Sequence, residues 1–215
     1  MLPIGDDNPR RTFPLVNYAL IAANVLIFLV ELSTGDNFVA TFSFIPGLFH
    51  SDPGGNFLTI ITSTFLHAGW LHLLGNMLFL WIFGDNVEDR LGHIAYLGFY
   101  LLCGIAGNLA QYAFSATSNI LVLGASGAIA GVMGAYIVMF PGAHIRVLIS
   151  IIPVRVPAYV AIGIWIILQV VSGLGTIGGG AAAGGVAYLA HVGGFALGLV
   201  LGLFASSKSN IDMNY

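Results

Sequence analysis

The chain is expected to be an all-α polytopic membrane protein, a bundle of six transmembrane helices with both termini cytoplasmic. Three observations lead there. Of 215 residues, 58% are hydrophobic and only 7% charged, against about a quarter charged in an ordinary soluble domain. The apolar residues gather into six runs, over residues 15–32, 71–87, 94–113, 125–140, 156–171 and 186–205, each near the length that crosses bilayer hydrocarbon. The six Lys and Arg fall in four places: Arg10 and Arg11 before the first run, Arg90 after the second, Arg146 and Arg155 after the fourth, and Lys208 after the sixth. With six spans those places share one side of the membrane, and excess positive charge marks it as cytoplasmic.

Every run reads as helix, because backbone N–H and C=O groups in lipid must find partners within their own segment. Residues 1–14 are then a cytoplasmic N-terminal tail, 15–205 one membrane domain and 206–215 a cytoplasmic C-terminal tail. The first run follows Asp6, Asp7, Arg10 and Arg11 and is long enough to span, as a retained signal anchor would be. The connection 33–70 holds Phe38, Phe42, Phe44, Phe49, Phe57 and Phe65 but no Lys or Arg. Aromatic side chains favour the membrane interface, so this stretch should lie partly embedded in the outer leaflet, with short helical pieces. The second run carries His72 and Asn76 one turn apart on one face. In the third, Cys103 is the single cysteine, which leaves no disulfide and no cysteine metal site and reads as a small buried residue. The fourth opens with Gly124-Ala125-Ser126-Gly127. Before the sixth, residues 172–185 are almost all Gly, Ala, Ser and Thr, either a mobile lid or a plain flexible linker. The sixth contains Ala190-His191-Val192-Gly193-Gly194.

Counting from the basic markers gives each polar residue a depth. Ser126 is 20 residues from Arg146, His72 is 18 from Arg90 and His191 is 17 from Lys208, which is roughly 25–30 Å at 1.5 Å per residue. All three then share a level near the outer face, with Asn76 slightly deeper. Polar side chains in hydrocarbon are costly unless they face a cavity or one another. Alone, Ser126 would be a helix-packing residue, His191 or Asn76 an interhelical hydrogen-bonding group and His72 an interface anchor. Together at one depth they make a shared site, and serine with histidine is the minimum apparatus for nucleophilic acyl transfer. Glycine spacing offers a way for the fourth and sixth helices to meet: Gly127, Gly131 and Gly134 on one, Gly194, Gly198 and Gly202 at four-residue intervals on the other.

Four signatures, in order, resemble the rhomboid intramembrane serine proteases, over residues from about 65 to 204. His67-Ala68-Gly69-Trp70-Leu71-His72-Leu73-Leu74-Gly75-Asn76 is similar to the family's His-x-x-x-Asn segment, and Val87-Glu88-Asp89-Arg90-Leu91-Gly92 to its Glu-x-Arg-x-Gly turn. Gly124-Ala125-Ser126-Gly127 is similar to the nucleophile box, and Ala190-His191-Val192-Gly193-Gly194-Phe195-Ala196-Leu197-Gly198 to the general-base segment. The resemblance implies a rhomboid-like bundle with a Ser126–His191 dyad that lacks an acidic third member. It also implies His72, Asn76 and the Ser126 N–H as oxyanion donors, and a cavity open to the outer face with His67 near its rim. Glu88 and Arg90 are expected to fix the turn between the second and third helices. Ala130 departs from the pattern, because rhomboids usually carry there an aromatic that packs on the catalytic histidine. Another side chain must orient His191, or its ring is more mobile.

The implied function is an intramembrane serine endopeptidase that cuts single-span membrane proteins near the outer face, in a prokaryotic plasma membrane. Its partners would be those substrates and the lipid bilayer, with no nucleic acid, cofactor or metal. Two alternatives stand beside it. One is a catalytically inactive relative that binds membrane clients, against which intact Ser126 and His191 count. The other is a small transporter, against which counts the clustering of polar groups at one level instead of along a pathway.

Overall fold

The computed structural model describes residues 2–176 and 186–212. Of the stretch 172–185, on which the lid and linker readings rest, residues 172–176 are helical instead of loop and 177–185 lie outside the described residues, as do residues 213–215 of the expected C-terminal tail. In chain order the elements are β1 (Leu2–Asp6), α1 (Leu15–Thr34), α2 (Asp36–Phe42), α3 (Pro46–Ser51), α4 (Thr59–Thr62), a 3-10 turn (Ser63–Phe65), α5 (Trp70–Leu91) and α6 (His93–Ser115). There follow α7 (Ser126–Met139), β2 (His144–Ile149), β3 (Ile152–Pro157), α8 (Ala158–Thr176) and α9 (Tyr188–Asp212).

Each of the six apolar runs contains a helix, but not all have the length of a span. α1, α6, α8 and α9 are long and apolar enough to cross a membrane, and α4 with the 3-10 turn joins α5 as a fifth such stretch, bent by 92°. α7 has 14 residues and rises only roughly 21 Å, short of the ~30 Å hydrocarbon core. It stops at Phe140 because Pro141 cannot continue a helix and restricts the residue before it. The 20-residue count from Ser126 to Arg146 therefore runs partly through loop and strand, and overstates that separation.

Two further boundaries differ from expectation. Residues 2–6 of the expected tail form β1, which pairs antiparallel with β2, and β2 pairs in turn with β3. Val156 and Pro157, expected to open the fifth helix, end β3 instead, and the helix starts at Ala158. Arg146 and Arg155 are cross-strand neighbours. Like charges so placed repel, and Asp7 offsets this by pairing with both, 3.6 Å from Arg146 Nε and 2.6 Å from Arg155 Nη2. The prolines of the hairpin, Pro153 and Pro157, lie on the edge strand, where a missing N–H costs no ladder bond.

The sheet and the N-terminal segment gather the described arginines at one end of the bundle. Arg10 pairs with Asp85 at 2.9 Å, and the Thr12 N–H donates to Asp89 at 2.7 Å. Glu88 is fully buried. Its carboxylate accepts the Val16 and Asn17 N–H groups at 2.9 and 2.7 Å, which satisfies orphan donors in the first turns of α1 at the dipole's positive end. It also bonds His93. Glu88 thus holds this turn, whereas Arg90 is exposed in the last turn of α5.

α7 forms the centre of the core. Every residue from Gly127 to Tyr136 is buried, packed by α5, α6 and α9 with Leu80, Phe83, Tyr96 and Tyr100 among the neighbours. α8 lies at the periphery and buries only Ala158, Ile162 and Gly173. The connection 33–70 is folded against the bundle: Phe44 and Val122 exchange backbone hydrogen bonds at 3.0 and 2.8 Å, and with Ile60 they form a second small apolar cluster. Asn108 on α6 anchors it further, donating to the Ile60 carbonyl at 2.7 Å and to Ser63 Oγ at 2.9 Å.

Candidate functional site

Three helix N-termini converge at the end of the bundle away from the arginines. Ser126 is the first residue of α7, His72 the third of α5 and His191 the fourth of α9. The positive ends of three helix dipoles therefore favour negative charge in the space between them. That space is a cavity of about 900 Å³ whose lining includes His72, Asn76, Ser126, Trp165 and His191.

α7 and α9 meet through a ladder of small residues in register. A Cβ on Gly194 would overlap the Gly127 carbonyl oxygen, and one on Gly198 would overlap the Gly131 carbonyl. At Gly202 it would come to 2.8 Å from Ala135 Cα. The expected packing glycines on α9 thus face positions 127, 131 and 135, one turn apart on both helices. On α7, Gly131 has no room because Cys103 and the Gly194 carbonyl crowd it, and Gly134 lies against the Phe195 carbonyl. Gly127 differs: a Cβ there would make ordinary contacts of 3.5 Å and more, so what matters at 127 is the approach of its carbonyl to Gly194.

This backbone contact brings Ser126 Oγ to 2.7 Å from His191 Nε2. His191 Nδ1 lies 2.8 Å from Gln169 Oε1 on α8. The indole of Trp165, one turn earlier on α8, covers the imidazole at a centroid distance of 5.6 Å and a tilt of 35°. An aromatic does pack on His191, then, but from α8 instead of from position 130, where Ala130 is wholly buried. Gln169 and Trp165 escaped the sequence reading. Gln169 is the only amide in the run 156–171, and the criterion that singled out Ser126 and His191, a polar residue inside an apolar run, applies to it equally.

His72 and Asn76 face the same corner. At Gly124, where φ is +121°, a side chain would be strained and would meet His72 Cε1 and Nε2 at 2.7 Å and Asn76 Nδ2 at 3.6 Å. Gly124 thereby admits both nitrogens close to the turn that leads into Ser126. Asn76 is buried, and its Nδ2 has no hydrogen-bond partner among the described residues. His72 Nδ1 accepts the Ala68 N–H at 3.4 Å, which leaves Nε2 to carry the proton and donate. His67, expected at the rim, is buried instead, edge-on to Phe28 and next to His72, with its N–H shared between the Glu31 carboxylate oxygens at 3.2 Å.

A bundle of helices long and apolar enough to cross a membrane defines an integral membrane protein, and this one holds a serine and an imidazole in hydrogen-bond contact inside a cavity. The chain belongs to the rhomboid family: the Rhomboid domain model matches residues 54–208. It is 31% identical over 199 residues to the mitochondrial Rhomboid protein 1 of Saccharomyces cerevisiae, covering 88% of this chain and 53% of that protein. Similarity extends to two proteins of Bacillus subtilis. The putative rhomboid protease YdcA is 31% identical over 129 residues, 60% of this chain and 64% of the relative. The rhomboid protease GluP is 36% identical over 124 residues, 57% of this chain and 24% of the relative. The chain thus spans about half the length of the yeast relative.

Proposed function

We propose that this protein is an intramembrane serine endopeptidase acting on single-span membrane proteins near the outer face of the membrane. The observation that carries the reading is the 2.7 Å contact between Ser126 Oγ and His191 Nε2 in a cavity large enough for a peptide segment and water. In this reading His191 takes the Ser126 proton as Oγ attacks the scissile carbonyl, and the resulting imidazolium gives that proton to the leaving amine. Water then enters the cavity and attacks the acyl carbon as it loses a proton to His191, and the imidazolium returns that proton to Ser126 Oγ as the C–O bond breaks and the carboxylic acid product leaves.

The tetrahedral oxyanion needs donors. Asn76 Nδ2, His72 Nε2 and the Ser126 N–H supply them, helped by the N-terminus of α7. A substrate must present extended backbone at this level, so helices weakened by Gly, Ala, Pro or similar residues near their outer end are preferred. We place the protein in a prokaryotic plasma membrane with both termini cytoplasmic, a reading supported by the arginines gathered at the end opposite the cavity.

The test is labelling of the purified, detergent-solubilised protein with a fluorophosphonate probe, next to Ser126→Ala. Labelling of the wild type and none of the folded variant is the expected result. A folded wild type that stays unlabelled overturns the reading and favours a client-binding role.

A further inference from the structure

We infer that Gln169 is a positioning residue for the proposed reaction: its side-chain carbonyl accepts the His191 Nδ1–H and so selects the imidazole tautomer whose Nε2 can take the Ser126 proton. The inference rests on the serine protease reading and adds a third member to the dyad. It follows from which way the amide faces. Gln169 Nε2 lies 3.4 Å from the Trp165 carbonyl, which can only accept. That orientation turns Oε1 toward His191, 2.8 Å from Nδ1. A neutral imidazole has one N–H and one lone pair. With Nδ1–H committed to Gln169, the lone pair sits on Nε2, facing Ser126 Oγ at 2.7 Å.

The opposite tautomer would place Nε2–H against the serine hydroxyl and Nδ1 against an amide oxygen, two lone pairs facing each other. A neutral amide can thus perform the orienting task that a carboxylate performs in a serine triad, and it does so without burying a net charge. Trp165, one turn before Gln169, limits rotation of the ring out of this plane. Both constraints come from α8, while the nucleophile and the base stand on α7 and α9.

The experiment compares wild type, Gln169→Leu, Gln169→Asn and Gln169→Glu in proteoliposomes. Saturable fluorophosphonate labelling gives a maximal rate and a half-saturating concentration, and 15N spectra of His191 report the tautomer directly. Gln169→Leu loses the acceptor, and Gln169→Asn withdraws it by one methylene. Each is expected to lower the maximal rate about 10- to 100-fold, the range found when a metal-ligating histidine loses the partner that orients it, with half-saturation unchanged within about twofold. Gln169→Glu keeps an acceptor at the same reach and is expected to stay within about threefold of wild type. The wild-type spectrum should show Nδ1–H, and the Leu variant a mixed population.

Equal maximal rates in all four proteins, or a Glu variant as slow as Leu, would overturn the inference. So would a wild-type His191 protonated on Nε2. The spectra decide this point even where no protein is labelled, an outcome that would count against the protease reading alone. Should Gln169→Leu fail to fold, Gln169→Asn and the wild-type spectrum carry the same decision.

Discussion

The α7–α9 seam and α8 contribute to the same imidazole by opposite means. In the seam, Gly194 and Gly198 lie directly on the carbonyls of Gly127 and Gly131, so the Ser126–His191 distance is fixed by backbone against backbone. α8 reaches His191 through the side chains of Trp165 and Gln169, and the helix buries three residues. In the proposed reaction the seam sets where Ser126 and His191 stand, and α8 sets how the ring is presented. Damage to the first should remove function altogether, whereas damage to the second should grade it.

Gly198→Leu should produce the largest effect. Overpacking a core usually costs about 1–3 kcal/mol, but here the obstacle is a carbonyl of the facing backbone, which no rotamer change relieves. Fluorophosphonate labelling is expected to vanish, with a lower Tm. A variant that folds and labels at the wild-type rate would break the seam model.

Asn76→Ala tests the corner that neither region builds. In the proposed reaction Asn76 is an oxyanion donor, and removing one such donor costs about 2.7–4 kcal/mol of barrier, or about 10²–10³ in turnover, so cleavage should be slowed strongly yet remain measurable above Ser126→Ala and His191→Ala. Equal and complete loss in all three would make Asn76 a fold-holding residue. Trp165→Ala sharpens the other side of the comparison. An aromatic contact contributes about 0.5–1.5 kcal/mol beyond area burial, which corresponds to roughly a two- to tenfold loss in maximal labelling rate. A loss as deep as that of Asn76→Ala would show that α8 does more than present the ring.

The smallest effect concerns the foot of α7. Tyr136 donates to the Asp6 carboxylate of β1 at 2.6 Å. Burial, the largest influence, pushes the Asp6 pKa up to about 6 from an ordinary 3.8, and the neighbouring Asp85 and Asp7 act in the same direction. The folded protein therefore holds this proton more tightly than the unfolded chain. The stabilisation is complete below about pH 4 and is lost as pH rises through about 6. The Tm of wild type relative to Asp6→Asn should fall over that interval, while at any one pH the two proteins should label Ser126 alike. A Tm difference that stays flat from pH 4 to 7 would remove Asp6 from the account.

What the sequence disclosed follows the same division. Ser126, His191, His72 and Asn76 were legible because a polar residue in an apolar run is conspicuous, and the glycine intervals because they repeat along one helix. Register was not legible. Nothing local says that Gly194 faces 127, or that Gln169 turns toward His191 while Asn108 turns to the Ile60 carbonyl. The sheet was hidden for a similar reason: β1 finds β2 about 140 residues later. Charge placement put Arg146 and Arg155 on one side without showing that they face each other across a hairpin. Glu88 stood out in its motif, yet the groups that it satisfies belong to α1, more than 70 residues earlier.

The polar contacts of α1 also bear on how the molecule is made. The side chain of Asn17 donates to the Leu80 carbonyl at 3.0 Å and accepts from the Tyr96 hydroxyl at 2.8 Å, and Glu31 receives the His67 N–H. Each of these partners is synthesised after α1 itself. When α1 emerges it carries an amide and a carboxylate with no mates, groups that the lipid interior rejects. Those mates come from three later places, the segment before α5 for Glu31 and both α5 and α6 for Asn17, so the polar groups of α1 are satisfied only when all three have assembled around it.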